Sequence, residues 1–354
     1  MCLGVVLCSL MNRTALLEQV LEGQPKFRVA QIQDALFNPA VRSWDDILTL
    51  PKDLREKLKA QNVPFLTVET SLLTKNKAHD TVKALLKLHD GTEIETVLMQ
   101  NARDAWTLCV SSQVGCAMAC GFCATGSLGL SRNVSADEII DQYRYFRHYL
   151  ADQPGEQKRI SNIVYMGMGE PLANYVEVRK SLNALLGNTD IGKTRITVST
   201  VGVLPRLEQI LTDEQWPHVR LAVSVHSADA KIRASFMPSS GPDFLPKLVD
   251  WSRRYLEHFG NRRHHLTFEY VMLANINDSV NDAKLLAKLV KSIGNVRVNL
   301  IPYNTTMSIF TRSPEERMSA FQGVLRDADV LFTTRKSQGQ DIAAACGQLA
   351  KTNC

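Results

Sequence analysis

The sequence predicts an α/β protein built on an open, incomplete parallel barrel, with a small accessory unit ahead of it and a short tail behind. From about residue 105 onward, strand-like apolar runs alternate with amphipathic helical stretches, the pattern of a parallel sheet wrapped by helices. Six or so such units follow one another. No Gly-x-Gly-x-x-Gly loop follows the first of these strands, which counts against a doubly wound sheet and against nicotinamide or flavin binding. Three cysteines, Cys116, Cys120 and Cys123, fall just after that same strand. Their density marks a site.

The accessory unit, residues 1–100, begins with helical spacing. Leu16, Leu17, Val20 and Leu21, then Val29, Ile32 and Leu36, then Ile47, Leu50, Leu54 and Leu58 recur every three to four positions, which predicts several short helices over 14–61. Pro64 ends that pattern. Strands are expected at 65–70, 81–88 and 93–99, the last two joined by a turn at Asp90-Gly91. In the core, residues 101–335, strands are expected at 106–111, 163–166, 195–199, 220–225, 266–272, 296–301 and 330–334. Helices fit at 136–150, 175–186, 204–211, 245–259, 279–293 and 314–327. Residues 336–354 form the tail. No internal repeat or low-complexity segment interrupts this order.

A chain of 354 residues, 45% hydrophobic and 22% charged, can bury a substantial core, which excludes a disordered chain and a disulfide-stapled miniature. The net charge of +5, with basic groups at Arg253-Arg254 and Arg262-Arg263-His264-His265, permits a nucleic-acid partner without demanding one. No apolar run reaches the roughly 18 residues that cross a bilayer. The apolar stretch 1–11 has neither a charged n-region nor a cleavage site, so the expectation is a cytoplasmic protein whose Cys2 and Cys8 stand apart from its chemistry.

The spacing Cys116-x-x-x-Cys120-x-x-Cys123 supplies three thiolates on one loop, and Gly115 and Gly121 let that loop curl around a metal. Three thiolates on a four-iron cubane leave one iron free to chelate a small molecule. The rival reading is a tetrahedral zinc site with Cys109 as fourth ligand. Buried thiols without metal are a third reading.

CxxxCxxC with an aromatic before its last cysteine resembles the radical S-adenosylmethionine (SAM) signature. The flanking Cys109-Val-Ser-Ser-Gln-Val-Gly-Cys116 and Cys123-Ala-Thr-Gly resemble the RlmN/Cfr family of RNA methyltransferases. The likeness spans nearly the whole chain: Phe27-Arg-Val-Ala-Gln31, Leu50-Pro-Lys-Asp-Leu54, Met166-Gly-Met-Gly-Glu170-Pro, Val198-Ser-Thr-Val-Gly202, Ser224-Val-His226, Val298-Asn-Leu-Ile-Pro-Tyr-Asn304 and Asp341-Ile-Ala-Ala-Ala-Cys346-Gly-Gln-Leu. Several motifs in the right order are far more specific than one. The resemblance implies a radical SAM partial (β/α)6-type barrel with a small N-terminal accessory domain of helices and a short β hairpin, the latter a candidate RNA docking unit. One departure is Ala343, where many relatives carry an acidic residue.

The resemblance also implies the site. Cys116, Cys120 and Cys123 would hold a [4Fe-4S] cluster, and Gly169, Glu170, Ser199, Ser224, Val225, His226 and Asn304 would bind SAM, with Glu170 accepting from its ammonium group. All of these follow or close predicted strands, where barrel enzymes collect their catalytic groups. Taken singly, each is as readily a strand-end cap, and His226 a satisfied core histidine. In the family, a first SAM methylates the cysteine matched by Cys346, and a second yields a radical that activates the S-methyl group for addition to adenine. Cys109 matches the resolving cysteine, which frees the RNA through a transient disulfide bond with Cys346. Glu95, in Ile94-Glu-Thr-Val97, matches the proton acceptor.

The expected activity is methylation of C2 of an adenosine in 23S rRNA, with a tRNA adenosine as a second candidate substrate. Flavodoxin or ferredoxin would donate electrons to a monomeric enzyme. Three alternatives remain at this point: methylation of C8 as in the Cfr branch, which confers antibiotic resistance; a non-catalytic, zinc-stabilised RNA-binding protein; and a radical SAM enzyme acting on a peptide or small molecule.

Overall fold

The computed structural model describes residues 13–155, 159–260 and 265–350. Cys2 and Cys8, and Arg262, Arg263 and His264, lie outside them. The chain opens with α1 (Arg13–Val20), α2 (Phe27–Phe37) and α3 (Lys52–Ala60). Their periodic residues Val20, Ile32, Leu36, Leu54 and Leu58 bury together with Trp44, Ile47 and Val63 in a small core of their own, and the Trp44 indole donates to the Val63 carbonyl at 2.7 Å. An antiparallel meander follows, β1 (Val68–Lys75), β2 (Thr81–Leu88) and β3 (Glu93–Gln100). Its first strand starts three residues later than the sequence predicts. The reason is local: the Thr67 N–H is spent on an Asp141 carboxylate oxygen at 2.6 Å and is lost to the sheet ladder.

β4 (Trp106–Cys109) pairs antiparallel with β3 and so carries the meander directly into the barrel sheet. The helices at 13–60 thus have a separate core, whereas β1–β3 share the main one. β5 (Gln113–Cys116) and β6 (Gly129–Asn133) form a two-stranded hairpin that brackets the cysteine loop, a feature the sequence pattern did not reveal. Then come α4 (Ala136–Asp152), β7 (Ile160–Tyr165), α5 (Tyr175–Asn188), β8 (Ile196–Thr200), α6 (Leu204–Thr212) and β9 (Arg220–Ser224). The chain continues through α7 (Ala230–Phe236), α8 (Phe244–Phe259), β10 (Leu266–Met272), α9 (Val280–Ile293), β11 (Val296–Pro302), α10 (Glu315–Asp327) and β12 (Phe332–Thr334). Serine caps start two of the long crossover helices. Ser135 with Glu138 opens α4 and Ser279 with Asp282 opens α9, each as a reciprocal capping box.

The ten-stranded sheet runs β1-β2-β3-β4-β7-β8-β9-β10-β11-β12, and from β4 to β12 every neighbouring pair is parallel. No pairing joins β12 to β1 among the described residues, so the barrel is open. This is the incomplete parallel barrel expected from the sequence. After β12 the tail crosses the rim formed by the strands' C-terminal ends, where Gly347 O accepts from Ala124 N at 2.8 Å. Among the described residues no helix is long and apolar enough to cross a membrane.

One buried charge cluster fixes the helical unit to the barrel. Asp141, on α4 and fully buried, accepts from Arg13 at 2.6 Å, from Arg144 at 2.6 Å and from the Thr67 N–H and hydroxyl. Arg13 and Arg144 also both donate to the Phe65 carbonyl. Burial pushes the Asp141 carboxyl up, but the two guanidinium groups and the hydrogen bonds outweigh it and hold it at about 2. Removing the carboxylate takes from buried Arg144 its ion-pair partner and leaves Arg13 only Asp137, at 3.4 Å, so Asp141→Ala should cost about 3–5 kcal/mol in a denaturant titration. Because the folded pKa is depressed, this contribution is present above the ordinary 3.8 and fades as pH falls through about 2. A loss below about 1 kcal/mol, as at an exposed pair, would show that the cluster does not hold the units together.

Candidate active site

The cysteine loop owes its shape to backbone constraints. Gly115 has φ +79°, and a Cβ there would collide with the Gly129 carbonyl across the β5–β6 hairpin. Gly121 N donates to Phe236 O at the end of α7 at 2.9 Å, and Thr125 Oγ1 donates to Leu349 O of the tail at 2.6 Å. The loop is therefore pinned from both sides. Burial pushes the Cys116 thiol up to about 11 and Cys120 up to about 12, and raises Cys123 as well, with the neighbouring sulfurs adding to the effect. Burial thus favours the protonated thiols, and metal binding would have to displace those protons.

Cys116, Cys120 and Cys123 line one cavity at the strand C-termini, together with Gly169, Glu170, Ser199, Ser224, His226, Asn304 and Cys346. Among the described residues no three His, Cys, Asp or Glu side chains converge where a single ion would sit. Cys109 lines a different cavity, with Arg335 and Cys346. It is not the fourth thiol of a tetrahedral set. Three soft donors spread around one cavity suit a multi-iron cluster with an open iron, and they do not suit structural zinc.

Gly169, at φ +100°, brings its backbone so close to Gln113 that a Cβ would collide with it, and Glu170 N donates to Gln113 Oε1 at 2.8 Å. The Glu170 carboxylate is buried and accepts from Leu172 N at 2.9 Å and Val201 N at 2.8 Å. Burial nevertheless pushes it up to about 6. His226 sits at φ +56° with Nδ1 accepting from Val271 N at 3.0 Å and its ring edge-on to Phe122. Burial first, and Arg233 second, push it down to about 3. It is a neutral imidazole. Asn304 reaches the tail: Nδ2 donates to Cys346 O at 3.1 Å and Oδ1 accepts from Gln340 at 2.6 Å.

Val225 is the expected SAM-binding residue that does not line the cavity. Strand alternation puts Ser224 on the cavity side and the Val225 side chain in the core at 0% exposure. Glu95 lies in neither cavity wall. Its carboxylate is 2.9 Å from Lys83 Nζ and accepts from Ala350 N at 2.8 Å, so it fastens the tail to β3. The five described cysteines are all free thiols, so the disulfide expected between Cys109 and Cys346 is not a bond of this structure. Burial holds the Cys109 thiol up at about 12, where it is a weak nucleophile.

Sequence reasoning missed two arginines. Arg335 Nη1 donates to Cys346 Sγ and Met166 Sδ, each at 3.5 Å, and Arg335, like Cys346, lines both cavities. Buried Arg233 donates to Val201 O, Ser224 O and Val225 O and lies 3.7 Å over the Phe244 ring, tying two strand-end loops together. In the sequence both are basic residues among many, and nothing in their spacing separates them from surface charges.

A cysteine loop after the first parallel strand, facing a cavity at the strand C-termini, defines a class: residues 110–286 match the Radical SAM superfamily. A crystal structure of a radical SAM methyltransferase from Sphaerobacter thermophilus shares the fold with a TM-score of 0.86 and 36% identity, covering 96% of this chain and 97% of that one. The chain belongs to the RlmN family within that class. It is 42% identical over 335 residues to the "Dual-specificity RNA methyltransferase RlmN" of Desulfotalea psychrophila, covering 93% of this chain and 90% of the relative. It is 36% identical over 335 residues to the "Ribosomal RNA large subunit methyltransferase N" of Nitrosopumilus maritimus, with 92% and 93% covered.

The His226 geometry makes a direct prediction. With Nδ1 committed as an acceptor, the ring carries its proton on Nε2, and nitrogen-detected NMR should show that tautomer unchanged between about pH 5 and 8. A titration midpoint inside that range would mean the Val271 hydrogen bond is not kept.

Proposed function

We propose that this protein methylates C2 of an adenosine in 23S rRNA, with a tRNA adenosine as a second substrate, as a cytoplasmic monomer that takes electrons from flavodoxin or ferredoxin. The observation that carries the reading is that Cys346 lines both the cavity of the three loop thiols and the cavity of Cys109. Cys116, Cys120 and Cys123 would hold a [4Fe-4S] cluster, and Gly169, Glu170, Ser199, Ser224, His226 and Asn304, with the Val225 backbone, would surround SAM. Bound there, cluster and SAM supply the one-electron chemistry needed at an adenine carbon that lacks an acidic C–H and nucleophilic character.

The protein's own groups handle the rest. Glu170 offers its remaining lone pairs to an ammonium group. His226, neutral, adds no cationic charge to the cavity. Cys346 Sγ accepts the methyl group and carries it to the base. The Cys109 thiolate then attacks the Cys346 sulfur: an S–S bond forms as the bond from that sulfur to the methylene carbon on the base breaks, that carbon takes up a proton to become the methyl group, and a thiol reductant reopens the disulfide. Arg335, which opposes the burial that raises the Cys109 thiol, favours that thiolate. Glu95 takes up a proton once the tail releases its bond from Ala350.

Mass spectrometry of ribosomal adenosine, after expression in a strain lacking its own enzyme, should show 2-methyladenosine; 8-methyladenosine would overturn the C2 assignment. Alanine at Cys116, Cys120 or Cys123 should abolish iron binding, whereas Cys346→Ala should keep full cluster absorbance and transfer no methyl group. Cys109→Ala should accumulate a covalent protein and RNA adduct on denaturing gels that disappears when Cys346 is also replaced. Normal turnover without adduct would remove Cys109 from the mechanism.

The raised Glu170 carboxyl gives a pH test. Recognition of an ammonium group needs the ionised form, so SAM affinity should fall as pH drops through about 6. Calorimetry should find this dependence flattened, and affinity reduced, in Glu170→Gln. An unchanged slope in that variant would assign the titration to another group.

A further inference from the structure

We infer that the loop between β11 and α10 is an RNA-unstacking wedge, with Met307 and Ile309 inserting beside the target base while Arg312 and Lys336 hold the flanking backbone. Met307 is 93% and Ile309 94% exposed, the two most exposed large apolar side chains among the described residues. The loop that carries them is braced at every turn. Tyr303 Oη bonds the hydroxyls of Thr306 and Ser308 at 2.7 and 2.6 Å, Phe310 packs against Gly121 and Phe236, and Leu273 bridges to Arg312 at the loop's far end. Gln348, two residues beyond Cys346, donates to Thr305 O at 2.9 Å. The apolar tip is therefore held beside the mouth that Tyr303, Asn304 and Cys346 line.

The occupant follows from what surrounds the tip. A depression at the loop's base is bounded by Pro302 and Arg312, which flank the loop, and by Arg335 and Lys336, with Glu315 its one carboxylate. Among the described residues Arg312 and Lys336 form no ion pair. Cations at the base of an apolar projection complement a polyanion whose interior is made of stacked rings. Enzymes that act on a base must draw it out of its stack, and Ile and Met are among the side chains that wedge between base steps. The inference rests on the RNA substrate proposed above and names the element that makes its base accessible.

The test uses the cluster-loaded enzyme and an RNA hairpin carrying the target adenosine with 2-aminopurine as its neighbour. The wild-type protein should raise the 2-aminopurine fluorescence as the stack opens. Met307→Ser with Ile309→Ser should abolish most of that rise and weaken binding about tenfold, with the salt dependence unchanged. Arg312→Ala with Lys336→Ala should instead make log Kd against log salt shallower, by about 0.7 for each phosphate no longer neutralised. SAM cleavage without RNA should be the same in both variants. A Met307/Ile309 variant that binds and unstacks like wild type overturns the wedge. So does one whose only defect is slower reduction by flavodoxin, which would make the tip a donor-docking surface. If the wild-type protein itself fails to bind the hairpin, the RNA reading falls and the wedge with it.

Discussion

Parallel pairing is the constraint on which the rest depends. Because β4 and β7 to β12 all run the same way, every loop leaving a C-terminal strand end opens on one rim, and the polar residues there need no further device to meet. Glu170 after β7, Ser199 on β8, Ser224 on β9 and Asn304 after β11 arrive at one cavity for this reason alone. The cysteine loop is delivered to the same rim by a separate hairpin. The open side between β1 and β12 leaves room for the tail to cross and bring in Cys346 from the far end of the chain.

The rim is electrostatically quiet until something binds. Burial raises the thiols and the carboxyls of Glu170 and Glu269, and it lowers His226, so each of these groups is biased toward its uncharged form. The cationic counterweights are Arg233 and Arg335, both packed against carbonyls or sulfurs. A charged ligand entering such a low-dielectric cavity meets fixed dipoles and few mobile charges, the condition under which hydrogen bonds are strongest.

Most of the site was legible in the sequence because its chemistry is written in short segments. CxxxCxxC, Gly169-Glu170 and Ser224-Val-His226 each carry their meaning within a few residues, and the barrel's strands announce themselves as apolar runs. What could not be read depends on pairings between distant segments. Asp141 meets Arg13 across 128 positions and Arg335 meets Met166 across 169, and no periodicity records such pairs. Asn304 and Glu95 were singled out through the resemblance, but their hold on the tail was not legible, since it depends on where residues 346–350 come to lie. Val225 turns its side chain into the core, which leaves only its backbone to face a ligand.

The tail's bonds to the cysteine loop also set an order of assembly. Thr125 and its partner Leu349 are 224 residues apart. At synthesis rates of about 5–20 residues per second, Leu349 is added on the order of 10–45 s after Thr125. Over that interval the loop of Cys116, Cys120 and Cys123 has no tail to cover it. Iron and sulfide delivered to a nascent chain would meet three accessible thiols, whereas the finished protein meets them with the segment around Gly347 and Leu349 already bonded across the loop. The bonds from Ala124 to Gly347 and from Thr125 to Leu349 can therefore form only well after the loop itself has been made.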